Sequence, residues 1–547
     1  MMETLAEGLI GALSRPAAHP HDPDAARGVA HVQTHISHVF LTATRVYKLR
    51  KAVDLGFLCF ATRAERNADC LREVTLNRRL APDVYLGVAP VEAVAGGFRI
   101  GALRECAAGG DIEPNAEHCV VMRRLPTGRD ALSLLEHGAL SAGQLERVAA
   151  LVAGFHARVG LGRPAPFSRE EWRERIRRPV EANFEALGED VLTLPEGLAD
   201  ETHAAVRDFL EREASRFEAR RLAGRGVDAH GDLHLQHVFF EQDDADPILI
   251  DCIEFSDELR RIDAASEVAF LAMDLRYRGR KDLAEGFLRT YAQESDDFDL
   301  YRVVDFFLSY RAAVRAKVAA IAAGEAEIDA GQRDRAAESA ARHLELAHEA
   351  LAPRPAGPLV LVCGAVGTGK STAAAVIADA LGGAVIASDR VRKRLAGLSP
   401  TERPRGAEQD VLYAEAMTDR VYAGLFERAD PVSASGRAAV LDATWSRRRH
   451  REDALSFAGE RGLRVLLVRT HCARDVALRR LAARAALGRD PSDAGPERFD
   501  ASVAAFENES EWPAAARIEA STERDLWRQQ LRAHIERWSA HTKQASE

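Results

Sequence analysis

A glycine-rich stretch at residues 364–371 carries the clearest chemical signal in the chain. It reads Gly-Ala-Val-Gly-Thr-Gly-Lys-Ser and lies between the apolar run 359–363 and the helix-favouring run 372–378. A strand that leads through a glycine turn into a helix presents backbone N–H groups and the positive end of the helix dipole to phosphates. In such a loop the lysine reaches the phosphates and the serine oxygen binds magnesium. The predicted nucleoside triphosphate site contains Gly364, Gly367, Thr368, Gly369, Lys370, Ser371 and Thr372.

Two carboxylates in the first half of the chain suit related chemistry. Asp232 lies in the stretch 230–237, His-Gly-Asp-Leu-His-Leu-Gln-His, and Asp251 ends the apolar run 248–250. Phosphoryl transfer needs one carboxylate to orient and deprotonate an acceptor hydroxyl and another to hold magnesium on the phosphates. The sequence places the two carboxylates at the ends of neighbouring predicted strands.

These residues resemble the catalytic motifs of the aminoglycoside phosphotransferase and choline kinase group, which has the protein-kinase-like fold. The resemblance implies that Asp232 is the catalytic base and that Asp251 binds the metal. It also implies that Lys48 contacts the nucleotide phosphates and that Glu73 is its partner on a helix. Met122 begins a segment that resembles the hinge between the two lobes, where backbone groups face the adenine.

Two positions depart from the pattern of that group. His237 stands where the group usually has a magnesium-binding asparagine, and a hard cation gains less from imidazole than from oxygen. We keep His237 as a candidate metal ligand, with a structural hydrogen bond as the alternative and Glu254 as a further oxygen donor. The expected nucleotide loop, residues 34–38, contains no glycine. The phosphates are therefore expected to be covered by some other means, or poorly.

Several polar residues of the first half have structural explanations beside functional ones. Asp263 and Glu267 follow where these folds use an acidic residue to brace the catalytic loop, and Asp263 also suits a helix cap. Arg311 and Arg315 are spaced to share one helix face, which would either receive an anionic substrate or be exposed to solvent. His156 fits core packing better than a ligand role.

The second half offers an acceptor site beyond a second predicted strand. The run 384–388 leads to Asp389, and Arg392 follows on the next predicted helix. Ligands of open α/β sheets lie beyond the carboxyl ends of the strands, so Asp389 is predicted beside the phosphate loop. Its carboxylate would take the acceptor proton, and Arg392 would hold an acceptor phosphate or the migrating group. This arrangement resembles polynucleotide 5′-hydroxyl kinases, zeta toxins and gluconate kinases; a helix N-cap is the alternative for Asp389.

A third strand end and a basic helix complete this predicted site. Asp442 ends an apolar run, at a place where phosphate-loop proteins commonly order the magnesium shell with a carboxylate. Arg480 and Arg484 lie one turn apart on a predicted helix that leads into residues 488–493. This segment looks like the lid of small-molecule kinases, whose arginines close over the transferred phosphate. A solvated helix face is the alternative for both arginines.

Composition places these motifs in an ordinary soluble protein. The 547 residues are 46% hydrophobic and 29% charged, and a net charge of -10 with a pI near 6.0 disfavours coating of nucleic acid or membranes. Seven scattered cysteines without a Cys-x-x-Cys pair argue against a disulfide framework or a cysteine zinc site. Because no signal-peptide pattern and no run of about eighteen apolar residues occurs, we expect a cytoplasmic location.

The chain is longer than one hydrophobic core usually organises, which predicts more than one domain. A stretch with three prolines at 351–358 marks the predicted boundary. We expect residues 1–350 to form an α+β protein-kinase-like domain with a strand-rich lobe followed by a helical lobe. Residues 351–358 are the predicted linker, and residues 359–547 are the predicted α/β P-loop NTPase domain with a mainly parallel sheet.

The whole chain resembles a group of bacterial two-domain proteins usually described as bifunctional aminoglycoside phosphotransferase/ATP-binding proteins. The resemblance implies that each domain moves the γ-phosphoryl of ATP to a hydroxyl of a small molecule, with magnesium as cofactor. A shared fold does not identify the acceptor. Two alternatives stay open: a P-loop kinase or ATPase with a catalytically weak regulatory or binding module before it, and a toxin-like or polynucleotide-end kinase.

Overall fold

Two compact units make up the chain. The first, unit 1, comprises Met1–Arg278 and Tyr310–Ala347, and the second, unit 2, comprises Gly279–Ser309 and His348–Glu547. The predicted boundary at 351–358 stays a prediction, and residues 353–358 form neither helix nor strand. The structure is a computed structural model that describes residues 3–54, 58–105, 113–188, 194–195, 197–325, 329–404, 406–487, 490–523 and 525–544.

An antiparallel sheet forms the first part of unit 1. The strands described in this unit are β1 (Ala30–Gln33), β2 (Ser37–Leu41), β3 (Arg45–Arg50), β4 (Tyr85–Val94), β5 (Gly97–Ile100), β6 (Glu117–Arg123), β7 (Gly226–Asp228), β8 (Val238–Phe239), β9 (Ile248–Leu249) and β10 (Arg261–Asp263). The large sheet has the order β1-β2-β3-β6-β4-β5, and β7 with β10 and β8 with β9 form small antiparallel pairs.

Strand β3 shows how the sequence directs side chains to two faces of this sheet. Tyr47 and Leu49 are buried in the apolar core on one face. Because side chains alternate along a strand, Lys48 and Arg50 point to the opposite face. Lys48 is flanked in register by Val39 of β2 and residue 120 of β6, so it lies inside the sheet rather than at its edge.

Helices dominate the chain after the large sheet, as predicted for a strand-rich lobe followed by a helical one. Short 3₁₀-helices span Pro16–Ala18, Pro23–Arg27, Leu235–His237 and Phe298–Arg302. The helices described up to residue 350 are α1 (Leu9–Leu13), α2 (Arg63–Asn77), α3 (Ala131–Glu136), α4 (Ala142–Arg158), α5 (Arg169–Gly188), α6 (Leu198–Arg212), α7 (Ala214–Leu222), α8 (Asp257–Arg260), α9 (Ala264–Tyr277), α10 (Lys281–Ser295), α11 (Val304–Gly324) and α12 (Ala330–Ala350).

A parallel sheet forms the centre of unit 2. Its strands are β11 (Leu359–Cys363), β12 (Ala384–Ala387), β13 (Ala439–Asp442), β14 (Val465–His471) and β15 (Arg517–Ser521), in the order β12-β13-β11-β14-β15. Every residue of β11 is buried, which explains its continuous apolar sequence, because a central parallel strand is covered on both faces. The helices after residue 359 are α13 (Lys370–Leu381), α14 (Ser388–Leu395), α15 (Ala407–Leu412), α16 (Glu415–Ala434), α17 (Arg448–Glu460), α18 (Arg474–Leu487), α19 (Phe499–Ala504) and α20 (Trp527–Gln544), with 3₁₀-helices at Pro496–Arg498 and Ala514–Ala516.

The described residues include six of the seven cysteines. The six cysteines among them are free thiols, and Cys106 lies outside the described residues. Among the helices described, none combines the length and the apolar character that a membrane crossing requires.

A buried arginine ties two parts of unit 2 together. Arg437 is 4% exposed, and its Nε donates to Glu285 Oε2 at 2.7 Å. Its Nη1 and Nη2 donate to the two carboxylate oxygens of Asp305 at 2.8 and 2.9 Å. The two neighbouring carboxylates raise the pKa of Arg437 despite its burial. This side chain therefore joins the segment before β13 to the 279–309 segment of the same unit.

Removal of that guanidinium is expected to destabilise unit 2. Arg437→Ala would remove the guanidinium that Glu285 and Asp305 share, although Asp305 keeps Arg354 at 3.1 Å, and breaking a buried pair in this way typically costs about 3–5 kcal/mol. The free energy of unfolding is measured by urea titration, with tryptophan fluorescence, to which the buried Trp445 of unit 2 contributes, as the reporter. The exposed pair Arg532–Glu536 supplies the control, since Arg532→Ala should cost less than about 0.5 kcal/mol. Equal losses from the two variants would contradict the structural role of Arg437.

Candidate functional site

A lysine and two carboxylates meet on one face of the unit 1 sheet. Lys48 Nζ donates to Glu73 Oε1 at 3.0 Å and to Asp251 Oδ1 at 2.9 Å. Glu73 lies on α2, whose start is fixed by a capping box between Thr62 and Glu65. Although burial disfavours its charge, the carboxylates of Asp251 and Glu73 raise the pKa of Lys48. The lysine is therefore charged, and it holds Asp251 near the helix.

Arg50 is buried at the centre of this site, and the sequence motifs did not identify it. Its guanidinium donates to Asp69 Oδ2 at 2.6 Å, to Glu73 Oε2 at 2.6 Å and to Glu254. Glu73 thus bonds Arg50 with one oxygen and Lys48 with the other. Burial raises the pKa of the Glu254 carboxyl to about 8. A signal was present in the sequence, because Arg50 follows Lys48 by two residues on a predicted strand and must share its face.

Asp251 has an unusual backbone conformation. Its φ of 64° lies in the left-handed region, which is uncommon for residues other than glycine. The N–H of Asp251 donates to the hydroxyl of Tyr85 at 3.0 Å, which supports this conformation from β4. Desolvation by neighbouring protein groups raises the pKa of the partly exposed Asp251 carboxyl, but the charges of Lys48 and His237 outweigh this effect, and the net direction is downward. Its carboxylate is 44% exposed and ionised, as an oxygen ligand for magnesium must be.

Glu267 fixes the loop that carries Asp232 by hydrogen bonds to the backbone of that loop. The carboxylate of Glu267 accepts from the N–H of His230 at 2.8 Å and from the N–H of Gly231 at 3.0 Å. Burial raises the pKa of Glu267 to about 7. Asp263 caps α9 and pairs with Arg220 through both carboxylate oxygens. Glu267 therefore braces the loop, as the resemblance implies, whereas Asp263 holds the start of α9 and its partner Arg220 on α7.

Two histidines lie against the Asp232 carboxylate. His234 Nε2 and His237 Nδ1 are each 3.5 Å from Asp232 Oδ2. His237 Nδ1 also lies 2.8 Å from the backbone oxygen of Asp232, and His237 Nε2 is 3.6 Å from Asp251 Oδ2. Burial raises the pKa of Asp232, but the hydrogen bond of His234 and the charges of both histidines lower it overall. Burial, followed by the charge of His234, lowers the pKa of His237.

The predicted hinge and nucleotide loop take ordinary sheet geometry. Met122 is paired within the sheet, and the N–H groups of the next two residues donate to the carbonyls of Val84 and Thr44 at 2.8 Å. Those N–H groups are therefore already hydrogen-bonded within the protein, so other groups would have to bind an adenine. The turn 34–36 needs no glycine, because the Thr34 hydroxyl accepts from the N–H of Ser37 at 3.0 Å.

The helical spacing of Arg311 suggested either a face that receives an anionic substrate or a face exposed to solvent. In the structure Arg311 lies on neither kind of face. It is 5% exposed, its Nε donates to the carbonyl of Ser266 at 3.2 Å, and its guanidinium lies 4.8 Å from the centre of the Phe270 ring. Packing of α11 inside unit 1 explains the difference. Arg315 is half-buried, and His156 is buried in α4, as expected for a packing residue.

The phosphate loop of unit 2 follows β11 directly. Gly364 has a φ of 145°, and a Cβ there would come within 2.5 Å of the Thr470 carbonyl oxygen. Gly369 has a φ of 88° and is the N-cap of α13. Lys370 begins that helix, and its Nζ donates back to the carbonyl of Ala365 at 3.0 Å. The loop therefore needs glycine for its turn, and the lysine ammonium closes over it.

Oxygen and nitrogen groups suited to phosphate and magnesium converge beside this loop. The Ser371 hydroxyl acts to lower the pKa of the Asp442 carboxyl, which ends β13 next to β11. Burial raises the pKa of Asp442, although Lys370 opposes that shift. Burial lowers the pKa of Lys370, while the carboxylates of Asp442 and Asp389 raise it. A serine hydroxyl and a carboxylate are hard oxygen donors, so these residues fit magnesium.

Asp389 begins a helix rather than ending a strand. Strand β12 ends at Ala387 and α14 begins at Ser388, so Asp389 lies in the first helical turn. Carboxylates are favoured there by the helix dipole, and the N-cap is Ala387, which removes capping as the explanation. The Asp389 carboxylate opposes the downward shift of the Lys370 pKa, so its charge acts on that lysine.

The predicted arginines of unit 2 are all engaged by protein groups. Arg392 is 8% exposed, and its Nη1 donates to the Leu412 carbonyl at 2.9 Å. Arg480 donates to the hydroxyl and the carbonyl of Thr522 at 2.9 and 2.7 Å. Arg484 donates to the Ala494 carbonyl at 2.9 Å, and its charge lowers the pKa of Lys370. Arg484 is thus the one of these three arginines whose charge acts on Lys370, and its place in a lid stays a prediction.

Part of the predicted lid is anchored by a residue that the sequence did not reveal. Lys393 is 1% exposed, and its Nζ donates to Asp493 Oδ1 at 2.9 Å. The hydroxyl of Tyr413 donates to the other oxygen of Asp493 at 3.2 Å. Residues 488 and 489 of the predicted lid lie outside the described residues.

Family models match both halves of the chain. A model described as the phosphotransferase enzyme family matches residues 41–307, and one described as an AAA domain matches residues 359–508. Uncharacterized proteins of Mycobacterium tuberculosis and Mycobacterium bovis are 33% identical over 499 residues, which is 90% of this chain and 92% of theirs.

Solved kinase structures resemble each half separately. A choline/ethanolamine kinase family protein from Mesorhizobium loti has 15% identity and a TM-score of 0.35, covering 62% of this chain and 98% of its own. A gluconokinase from Sinorhizobium meliloti has 18% identity and a TM-score of 0.25, covering 36% of this chain and 100% of its own.

The family-model matches and the mycobacterial relatives, together with the observed sheets, confirm the family and fold predictions. The first half is kinase-like, and the second half combines a phosphate loop with a parallel sheet. Two kinase-like parts support phosphotransferase activity in general. The chain therefore belongs to the family that joins a phosphotransferase enzyme domain to a P-loop kinase-like domain, and it shares that family with the mycobacterial proteins.

Proposed function

We propose that the chain is a bifunctional ATP-dependent phosphotransferase with one active site in each unit. Each site would move the γ-phosphoryl of ATP to a hydroxyl of a small molecule. The observation that carries the proposal is the contact of Lys48 Nζ with Glu73 and Asp251 in unit 1, at 3.0 and 2.9 Å, because this arrangement would supply a nucleotide site in addition to the phosphate loop.

In unit 1, Lys48 would bind the phosphates of ATP while Glu73 and Arg50 keep its ammonium in place. Asp232 would accept the proton of the acceptor hydroxyl as the acceptor oxygen forms a bond to the γ-phosphorus. The bond between that phosphorus and the β–γ bridging oxygen breaks, and ADP leaves. Asp251 would hold magnesium, which neutralises charge on the phosphates when it is bound.

In unit 2, the N–H groups of the phosphate loop and Lys370 would bind the triphosphate, with Ser371 and Asp442 as the magnesium-binding residues. Asp389 is proposed to take the acceptor proton, because its charge acts on Lys370 and no capping role accounts for it. Arg484 would stabilise charge on the transferred group. Arg392 is a candidate contact to the acceptor through the guanidinium nitrogens other than Nη1, which donates to the Leu412 carbonyl.

A small hydroxyl compound is the proposed acceptor rather than a nucleic acid. The net charge of -10 opposes binding of a polyanion, which usually requires a cluster of basic residues. A protein with these sites in the cytoplasm would have ATP and magnesium at hand. Cytoplasmic location is part of the proposal.

Nucleotide stoichiometry tests whether both sites exist. We expect the full chain to bind two equivalents of a non-hydrolysable ATP analogue with magnesium in isothermal titration calorimetry. Lys370→Ala should remove one equivalent and Asp251→Ala the other, because each variant removes a phosphate or metal contact from one site. Arg532→Ala, on an exposed ion pair, is the control and should keep two equivalents.

One equivalent in the wild type, lost only with Lys370→Ala, would contradict the proposal for unit 1. Unit 1 would then be a binding or regulatory module, consistent with His237 and the glycine-free turn at 34–36. Growth inhibition on expression, or labelling of a 5′-hydroxyl oligonucleotide, would instead contradict the small-molecule acceptor.

A further inference from the structure

A group of metal-binding side chains lies at the Asp232 loop. Asp232, His234 and His237 each offer one ligand atom, and these atoms lie within 4.8 Å of one another. The side chains are 35%, 9% and 15% exposed, so the group is largely enclosed but open at the carboxylate. A fourth donor is near, because Asp251 Oδ2 lies 3.6 Å from His237 Nε2. Two imidazoles with two carboxylates form a mixed nitrogen and oxygen donor set.

Hydrogen bonding orients His237 as a metal ligand. Its Nδ1 lies 2.8 Å from the carbonyl oxygen of Asp232, and since a carbonyl only accepts, Nδ1 must carry the proton. His237 Nε2 then keeps its lone pair and faces Asp251. Metal-ligating histidines usually donate their other ring N–H to a carbonyl or carboxylate in this way.

The spacing of the donors suits a small tetrahedral ion. Zinc bonds of about 2.0–2.2 Å to nitrogen and oxygen place neighbouring tetrahedral ligands about 3.3 Å apart. The distance from His234 Nε2 to Asp232 Oδ2 is 3.5 Å, and that from His237 Nε2 to Asp251 Oδ2 is 3.6 Å. Side-chain movements of a few tenths of an ångström would bring each of these two pairs to that spacing, and the ligand atoms of Asp232, His234 and His237 already lie within 4.8 Å of one another.

We propose that unit 1 binds a borderline divalent cation, of the zinc or cobalt class, through Asp232, His234 and His237. Imidazole nitrogen favours such ions over magnesium, which prefers oxygen ligands. This site goes beyond the proposed phosphotransfer and does not depend on it. If unit 1 is a kinase, the ion would occupy Asp232 and compete with magnesium at Asp251, so zinc would inhibit the transfer.

Cobalt titration of the tag-free, chelator-treated chain without nucleotide tests the site. Tetrahedral cobalt with nitrogen ligands gives intense visible absorption, and calorimetry with zinc supplies the stoichiometry. We expect one equivalent, with at least about tenfold weaker binding in His234→Ala and in His237→Asn, since each removes a ligand. Far-ultraviolet circular dichroism and thermal unfolding establish that both variants are folded, and either folded variant is sufficient for the test.

The matched control is His31→Ala. His31 Nε2 and His38 Nδ1 form a histidine pair 3.1 Å apart elsewhere in unit 1, and removal of His31 should leave cobalt binding unchanged. Loss of binding in His31→Ala, or unchanged binding in the folded His234 or His237 variants, would overturn the proposal. Absence of any cobalt absorption in the wild type would overturn it as well.

Discussion

Replacing Lys370 with alanine is expected to lower phosphoryl transfer by unit 2 by at least about 100-fold, a typical loss for one preorganised charge at the transferred group. The Lys370 ammonium lies over the phosphate loop and donates to the Ala365 carbonyl at 3.0 Å. A bound phosphate oxygen would replace that carbonyl as the acceptor. Burial lowers the pKa of Lys370, and phosphate charge would favour its protonated form. The rate is measured as ADP release from ATP with water as acceptor, in an Asp232→Asn background that removes the proposed base of unit 1.

Arg479→Ala is the matched control for this measurement. Arg479 lies on α18 beside the predicted lid, but it is exposed and pairs only locally with Asp475 at 2.7 Å. Its removal should change the rate by less than about twofold, because an exposed pair contributes little. A Lys370→Ala rate within about threefold of its parent would refute catalysis by the phosphate loop.

The phosphate loop could be predicted from sequence because its geometry is local. Gly364, Gly369 and Lys370 are separated by a few residues, and the strand before them and the helix after them are contiguous in the chain. The conformations that these residues require are properties of the residues themselves. Such a motif needs little information about the remainder of the fold.

The unit 1 site could be predicted only in part, because its contacts are distant in sequence. Lys48 and Asp251 are 203 residues apart, and Arg50 and Glu254 are 204 residues apart. Residue types and predicted strand ends supplied Asp232 and Asp251 as candidates, and a family resemblance added Lys48 and Glu73 and implied the role of each. Nothing in the resemblance required Arg50 to bond Glu73, since that contact depends on how the sheet packs against α2.

Arginines show why side-chain burial was difficult to predict. Arg311 stands on a helix whose spacing suits an exposed basic face, and Arg392 was predicted to hold an acceptor phosphate, yet both are buried and bonded to backbone carbonyls. Spacing along a helix gives the face of a residue but not what covers that face. The start of α14 at Ser388 was missed for a similar reason, because helix and strand ends depend on local preferences that differ little between neighbouring residues.

Asp232→Asn is expected to lower phosphoryl transfer by unit 1 by at least about 100-fold while leaving its nucleotide affinity within about threefold. General base catalysis is typically worth about 100- to 10,000-fold, and asparagine cannot accept the proton. Nucleotide affinity should persist, because Lys48, Glu73 and Asp251 do not depend on that carboxylate for their contacts. The loop should also persist, because Glu267 bonds the N–H groups of His230 and Gly231.

The Lys370→Ala background isolates this effect, since the remaining ADP release then comes from unit 1. Asp251→Ala is the informative comparison: it should lower both the rate and the affinity for the ATP analogue with magnesium, whereas Asp232→Asn should lower the rate alone. The histidines near Asp232 lower the pKa of its carboxyl, so the base is ionised at neutral pH and the rate should not fall between about pH 8 and pH 6 on its account. A folded Asp232→Asn variant with an unchanged rate would mean that unit 1 binds nucleotide without using this carboxylate, and its catalytic assignment would then fail while that of unit 2 stands.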